Sequence, residues 1–123
     1  MNLLKETERK LKENNKTWKD VLFIGTNYCK ISINNFKKVA DTEYDASWGS
    51  PEVAEDLIII GKDFYMTRRE YDGSEWWDFH KKPDIPNVPE REVFALTIEQ
   101  AVSNNINVSC GWETLDRLNG WEG

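Results

Sequence analysis

Apolar positions recur along this chain with two different periods. Over residues 2–14 the stripe is Leu3, Leu4, Thr7 and Leu11 with charges elsewhere, the spacing of an amphipathic helix that Asn14-Asn15 ends. Residues 21–24 (VLFI) and 30–33 (KISI) flank Gly25-Thr26-Asn27 and predict a hairpin. Asn34 or Asn35 then caps a helix running to about Tyr44, which turns Phe36, Val39, Ala40 and Tyr44 inward. Residues 47–51 (SWGSP) form a loop.

The strongest signal follows, a β-meander across residues 56–82. Residues 57–60 (LIII) are the β-branched apolar run of a central strand, and Gly61-Lys62-Asp63 turns it into a second strand over 64–71. Asp72-Gly73 turns that into a third over 74–81. A type I′ turn needs positive φ at both central residues, which makes Asp-Gly a strong hairpin marker. The two-residue loop sets the register: Tyr71 faces Ser74, Glu70 faces Glu75, Arg69 faces Trp76, Arg68 faces Trp77, Thr67 faces Asp78, Met66 faces Phe79 and Tyr65 faces His80. One face therefore carries Met66, Phe79, Arg68, Trp77, Glu70 and Glu75, and its inner half is core-like. The other carries Tyr65, His80, Thr67, Asp78, Arg69 and Trp76. Pro83, Pro86 and Pro89 make residues 83–91 an extended linker. Residues 93–96 read as a short strand, Thr97 with Gln100 as a capping box opening a helix to about Asn104, and 112–118 as a further helical turn closed by Gly120. The fold class is α+β: an antiparallel sheet packed with two to three short helices, in one domain with a core over about 1–82 and a C-terminal segment at 92–123.

Composition sharpens this picture. With 123 residues, six Trp, five Phe and four Tyr, the chain has the apolar area for one core without disulfide or metal staples. No apolar run reaches membrane-spanning length, and the charged N-terminal stretch matches no signal peptide. Two cysteines without a secretion signal point to the cytoplasm. The net charge of −6 is distributed unevenly. Residues 1–38 carry nine Lys or Arg against four Asp or Glu, residues 39–123 seven against eighteen, and residues 41–56 six carboxylates with no Lys or Arg. Such a field disfavours direct contact with nucleic acid, whose binding rests on phosphate neutralisation, and favours a basic partner.

The candidate chemistry is sparse. Cys29, His80 and Cys110 with a carboxylate such as Asp78 could compose a zinc site, but their spacing carries no signature, so no metal or other cofactor is expected. The single His, the lack of a Gly-x-Ser-x-Gly elbow and the lack of a phosphate-cradling loop place a binding protein ahead of an enzyme. The Arg–Trp pairs have two readings, sheet-stabilising cation–π contacts or anchors of a recognition surface. Glu70 opposite Glu75 is unfavourable unless Arg68, a cation or a partner compensates it. Asp41 and Asp45 fall at a helix C-terminus, where the macrodipole disfavours them and only Lys37 can offset Asp41. Either the helix ends early in a solvated loop, or an anionic face imitates phosphates for a basic partner.

At Ala40-Asp41, Glu43-Tyr44-Asp45, residues 57–61 (LIIIG) and 69–77 (REYDGSEWW), the chain resembles a set of short acidic accessory proteins carried by phages and integrated elements of Gram-positive bacteria. The resemblance covers roughly residues 1–85 and carries no catalytic activity. It implies an inhibitor of host defence, such as an anti-CRISPR protein, binding a basic nucleic-acid-handling protein of the host, for instance a CRISPR effector nuclease. On that reading Asp41, Glu43, Asp45, Glu52, Glu55 and Asp56 form the anionic face, with Arg69, Glu75 and Trp76 as anchors. The alternative is a self-associating module that binds a copy of itself, or a phage protein, through exposed aromatics.

Overall fold

The computed structural model describes residues 1–45, 51–81, 85–108 and 111–121. Its centre is a four-stranded antiparallel sheet of order β1-β2-β3-β4, formed by β1 (Val21–Gly25), β2 (Ile58–Gly61), β3 (Phe64–Tyr71) and β4 (Ser74–Lys81). The helices are α1 (Leu3–Glu13), α2 (Ile33–Ala40), α3 (Ile98–Ser103) and α4 (Leu115–Leu118). The fold is α+β, as the pattern predicts. The β3–β4 register is the predicted one at every pair from Tyr71–Ser74 to Tyr65–His80. The turn that sets it holds Asp72 at φ 53° and Gly73 at φ 86°. The triple-isoleucine strand is central, with Ile59 opposite both Ile24 and Met66.

Cross-strand partners share a face, so Ile24, Ile59, Met66, Arg68 and Trp77 all lie on one side. That side packs with Leu3 and Leu11 of α1 and with Phe36 and Val39 of α2 in the hydrophobic core. Asn2 caps α1 by accepting from the Lys5 N–H at 2.9 Å, and Asn14 closes it.

Three expectations are corrected. Residues 30–33 form no strand: Ser32 accepts the Asn35 N–H at 3.0 Å and starts α2 at Ile33, so only Lys30 bridges back to Gly25. The return is too close for a side chain, since a Cβ on Gly25 would lie 2.1 Å from the Cys29 carbonyl oxygen. Asn35, free of the capping role, grips Val93 instead, accepting its N–H and donating to its carbonyl. Second, α2 stops at Ala40 rather than Tyr44, which leaves Asp41 as the C-cap and carries Glu43 and Asp45 beyond the negative end of the helix. Lys37 does not serve Asp41; its ammonium lies 5.0 Å from the Trp18 ring centre.

Third, residues 93–96 form no strand, bending at Phe94 and Leu96, and the chain pairs here through Ala54 N–H to Leu96 O and Ile98 N–H to Glu52 O. The buried Asn119 carboxamide receives the Phe94 and Ala95 N–H groups and donates to the Ala95 and Leu115 carbonyls. Thr97 caps α3 as predicted, accepting the Gln100 N–H at 3.2 Å, and α4 sits within the predicted turn before Gly120. Val93, Ala95, Leu96, Ala101, Leu115 and Leu118 join the same core as Leu3 and Ile59, so the core extends past residue 82. The chain after Pro86 is fastened too: Lys30 N–H donates to Pro89 O and Arg91 N–H to Lys30 O, both at 2.7 Å. The loop expected at 47–51 falls on residues outside the description, except for Pro51.

The Asp72-Gly73 turn yields a direct test. Gly73→Ala places a Cβ in left-handed backbone and should cost about 1–2 kcal/mol. Urea unfolding should show a lowered midpoint with an unchanged slope.

Candidate functional site

Strand alternation carries Arg68 to the core side of β3, where its side chain is 0% exposed. An isolated buried guanidinium is prohibitively costly, so partners converge on it. Nη1 lies 3.3 Å from Glu6 Oε2, and Nη2 lies 3.0 Å from both Glu75 Oε1 and the Tyr44 hydroxyl. The guanidinium also sits over the Trp77 ring at 4.8 Å. Tyr44 O–H donates to Glu6, Trp77 Nε1–H to Thr7 Oγ1 at 2.8 Å, and Thr7 O–H to Leu3 O at 2.7 Å. The second Glu75 oxygen takes the Glu52 N–H, while Val53 N–H donates to the first at 3.1 Å. Among the described residues two buried side-chain atoms go without a hydrogen-bond partner, Arg68 Nε and Glu52 Oε2. Burial works against the charge on Arg68, but Glu6, Tyr44 and Glu75 outweigh it and hold the guanidinium protonated. Burial, reinforced by Glu6, pushes the Tyr44 phenol well above its ordinary range despite Arg68.

This cluster fixes the acidic segment at two points. Tyr44 binds it from one side of residues 46–50, and the Glu52 and Val53 backbone binds it from the other. Asp41 is exposed and accepts from Asn2 Nδ2 at 3.0 Å, Glu43 is exposed and lies 3.4 Å from the Met1 ammonium, and Asp45 is exposed. Beyond the gap, Glu55 is exposed, whereas Glu52 and Asp56 are half-buried. Asp56 accepts the Leu115 N–H at 2.9 Å and so secures the start of α4. The carboxyls of Glu52, Glu55 and Asp56 are all raised. In each, burial acts first; nearby charge adds to it from Glu75 and Glu99 at Glu52, from Asp56 and Glu113 at Glu55, and from Asp116 at Asp56.

The predicted residues therefore divide. Asp41, Glu43, Asp45 and Glu55 present carboxylates at the surface, while Glu52 and Asp56 serve the fold in part. Glu75 is corrected: its side chain is wholly buried, bonded to Arg68 and two backbone N–H groups, and is no surface anchor. The Glu70–Glu75 conflict is resolved by the same Arg68, with Glu70 left in solvent.

The opposite hairpin face is more open. Trp76 is 39% and Tyr71 76% exposed. The Arg69 Nε is 3.7 Å from Asp78 Oδ2, and His80 stacks on Tyr65 with centroids 4.6 Å apart. Trp76 also borders a shallow cleft with Met1 and Arg9, which makes it continuous with the Glu43 side of the acidic segment. His80 Nε2 meets both Thr67 Oγ1 (3.0 Å) and Asp78 Oδ2 (3.4 Å). A nucleophile relay needs its nucleophile and its orienting acid on opposite ring nitrogens of the histidine, so these three groups compose none.

The zinc set is not assembled either. Cys29 packs beside Thr26 beyond β1, with its thiol pushed up by burial, while His80 is on β4, separated from β1 by two strands. Cys110 lies outside the described residues, among which no cluster of three or more His, Cys, Asp or Glu is placed to hold a metal. No helix among them is long and apolar enough to cross a membrane. No protein-family model, curated protein or solved structure matches the chain.

Glu6 is the central residue that sequence periodicity overlooks, while Tyr44 faces inward as expected, though beyond the end of α2. The available signal was Glu6 lying one helical turn after the buried Leu3 on the apolar stripe, together with an arginine on the core parity of the hairpin.

Arg68→Met leaves two carboxylates buried without their cation and should destabilise by about 3–5 kcal/mol. Adding Glu75→Gln should recover part of that loss in the same denaturant titration. The pH response has the opposite origin. The raised carboxyls of Glu52, Glu55 and Asp56 bind protons more tightly folded than unfolded, so their ionisation opposes folding above their folded pKa values. Lowering pH from neutral toward the ordinary carboxylate range should therefore raise the contribution of these groups to thermal stability. Glu52→Gln should flatten that response in scanning calorimetry across pH.

Proposed function

We propose that this chain is a non-catalytic inhibitor that docks an acidic surface on a basic, nucleic-acid-handling protein in the cytoplasm of a bacterial host. The observation that carries this reading is that the acidic residues on either side of 46–50 are fastened to one buried cluster, Tyr44 to the Arg68 guanidinium and the Glu52–Val53 backbone to its partner Glu75. It places Asp41, Glu43 and Asp45 on one side and Glu55 on the other as surface anions next to tethered backbone. Preorganised charge loses less entropy on binding, and complementary fields accelerate encounter and select the partner.

The raised carboxyls support the same reading. Glu52, Glu55 and Asp56 stand in a field that opposes their ionisation, and a cationic surface brought against them relieves that opposition. Carboxylates fixed in this way can occupy the positions of phosphates on a protein built to hold nucleic acid. Arg69 and Trp76 extend the contact past the charged segment, since Trp and Arg in an exposed, contiguous patch suit the anchoring role. The resemblance to accessory proteins of phages and integrated elements makes a CRISPR effector nuclease the first partner to examine.

Target-DNA cleavage by a purified effector nuclease from a Gram-positive host should fall on addition of the chain. Affinity should drop by about tenfold or more as ionic strength rises from low to above physiological. Asp45→Lys and Glu55→Lys should each weaken inhibition without loss of fold. Inhibition indifferent to salt and to both reversals rules out the phosphate-mimic surface, and cleavage untouched by excess protein rules out this class of partner.

A further inference from the structure

We infer that the exposed face of α1 docks on the phosphates of nucleic acid already held by the partner, so that the chain fits a nucleic-acid-loaded protein better than a bare one. This rests on the inhibitory reading and deepens it, because it states what the partner must carry. Helical spacing sorts the seven charges of α1. Lys5, Arg9 and Lys12 recur at intervals of four and three and form one stripe along the middle of the exposed face. Glu8 and Glu13 are also exposed and lie at its two margins. Glu6 turns into the core against Arg68, and Lys10 is half-buried in the cleft that it shares with Glu6, Glu13 and Glu75. None of Lys5, Arg9 and Lys12 is in an ion pair among the described residues. Arg9 donates instead to Met1 Sδ at 3.3 Å, and Glu8 accepts the Trp18 indole N–H at 2.8 Å. On the far side of that indole Lys37 of α2 adds a cation, 5.0 Å from the ring centre. In the following turn the exposed Lys19 and Asp20 offset each other, and Lys16 is paired with Asp63. The free charge on this side of the molecule is positive.

The stripe begins where the acidic segment is fastened. Leu3 N–H donates to Thr42 O at 3.1 Å and Tyr44 N–H to Met1 O at 2.8 Å, so residues 41–44 run antiparallel beside residues 1–3. Asp41 and Glu43, on either side of Thr42, are met there by Asn2 Nδ2 and by the Met1 ammonium. Asn2 also accepts the Lys5 N–H, so the first cation of the stripe is one turn from the residue that holds Asp41. The surface therefore changes sign along α1. Anions stand at its N-terminal end, where the macrodipole favours them, and cations follow. From Lys5 to Lys12 the stripe covers about 10 Å, the axial length of about three phosphates on one strand.

This order of signs selects the occupant. Free nucleic acid meets a chain of net charge −6 and the two anions at the head of the stripe. An anionic membrane is a plane, which sets Glu8, Glu13, Asp41 and Glu43 against its headgroups together with the cations. An acidic protein surface meets the same opposition. A basic groove with a nucleic-acid strand lying in it presents both signs side by side. Asp41 and Glu43 then face the groove, while Lys5, Arg9 and Lys12 face the strand.

Biolayer interferometry tests this on the purified effector nuclease of a Gram-positive host, with guide RNA loaded, without it, and on the guide RNA alone. Affinity for the loaded effector should exceed that for either component alone by about tenfold or more. Two double variants, Lys5→Gln with Lys12→Gln and Lys5→Glu with Arg9→Glu, alter exposed side chains and should keep the far-ultraviolet spectrum. Each should bring the loaded affinity down toward the bare value and leave binding to the bare effector no weaker. If the charge reversal loses its fold, the neutral pair decides. Equal affinity for loaded and bare effector overturns this inference and leaves the inhibitory reading standing. So does a preference for the loaded form that both variants keep, or free guide RNA bound as tightly as the loaded effector. Binding to phosphatidylglycerol vesicles that the same variants abolish assigns the stripe to a membrane and overturns the inference as well. Binding to neither form of the effector overturns the inhibitory reading, and this inference falls with it.

Discussion

The buried guanidinium of Arg68 is the constraint around which the rest of this structure is arranged. It reaches α1 through Glu6, β4 through Glu75 and Trp77, and the chain after α2 through Tyr44. Such a cluster is not a straightforward source of stability, because desolvating the ions offsets much of their attraction. Its effect is on geometry. An apolar core would accept several placements of α1 across the sheet, whereas the Arg68–Glu6 pair and the Trp77–Thr7 hydrogen bond are satisfied by one. The role is chiefly that of a register pin.

The same cluster explains how an unfavourable charge distribution is tolerated. Residues 41–56 bring six carboxylates and no cation of their own. They are held in place by neutral donors and by one guanidinium: the Glu52 and Val53 N–H groups on Glu75, and the Tyr44 hydroxyl between Arg68 and Glu6. The surface carboxylates Asp41 and Glu43 find local partners in Asn2 and the Met1 ammonium. The cost remains at Glu52, Glu55 and Asp56, whose ionisation is opposed by burial and by neighbouring acids.

How much was legible in the sequence depended on how local the deciding interaction is. The β3–β4 pairing was readable to the residue because Asp72-Gly73 and strand alternation are local rules. The capping of α3 by Thr97 was readable for the same reason. The predicted strand at 30–33 failed against another local rule, the Ser32 cap, which competes for the same residues. Long-range polar contacts left little trace. Nothing in composition or period indicates that Asn35 grips Val93 across 58 positions. Asn119 organising residues 94–95 and Asp56 holding Leu115 are equally silent in the sequence. The candidate site was legible as a charge pattern, and its exposed members follow from that pattern. Which carboxylates turn inward was not, because that is decided by where Arg68 and the α4 N-terminus lie.

The hairpin inverts the usual allocation of side chains. Its core face carries an ion pair, Arg68 and Glu75, and its open face carries Trp76, Tyr71 and the Tyr65–His80 stack. Polar groups inside a small domain are tolerated when every partner comes from a segment that must be positioned. Here those segments are α1 and residues 44 and 52–53, so the interior charges set the placement of the acidic surface. Apolar groups outside are tolerated when they meet another surface. The two departures are linked through β4, where Glu75 faces in and Trp76 faces out one residue later. The Glu52 and Val53 N–H groups on Glu75 therefore tie the chain at the acidic segment's far end to the strand that presents Trp76.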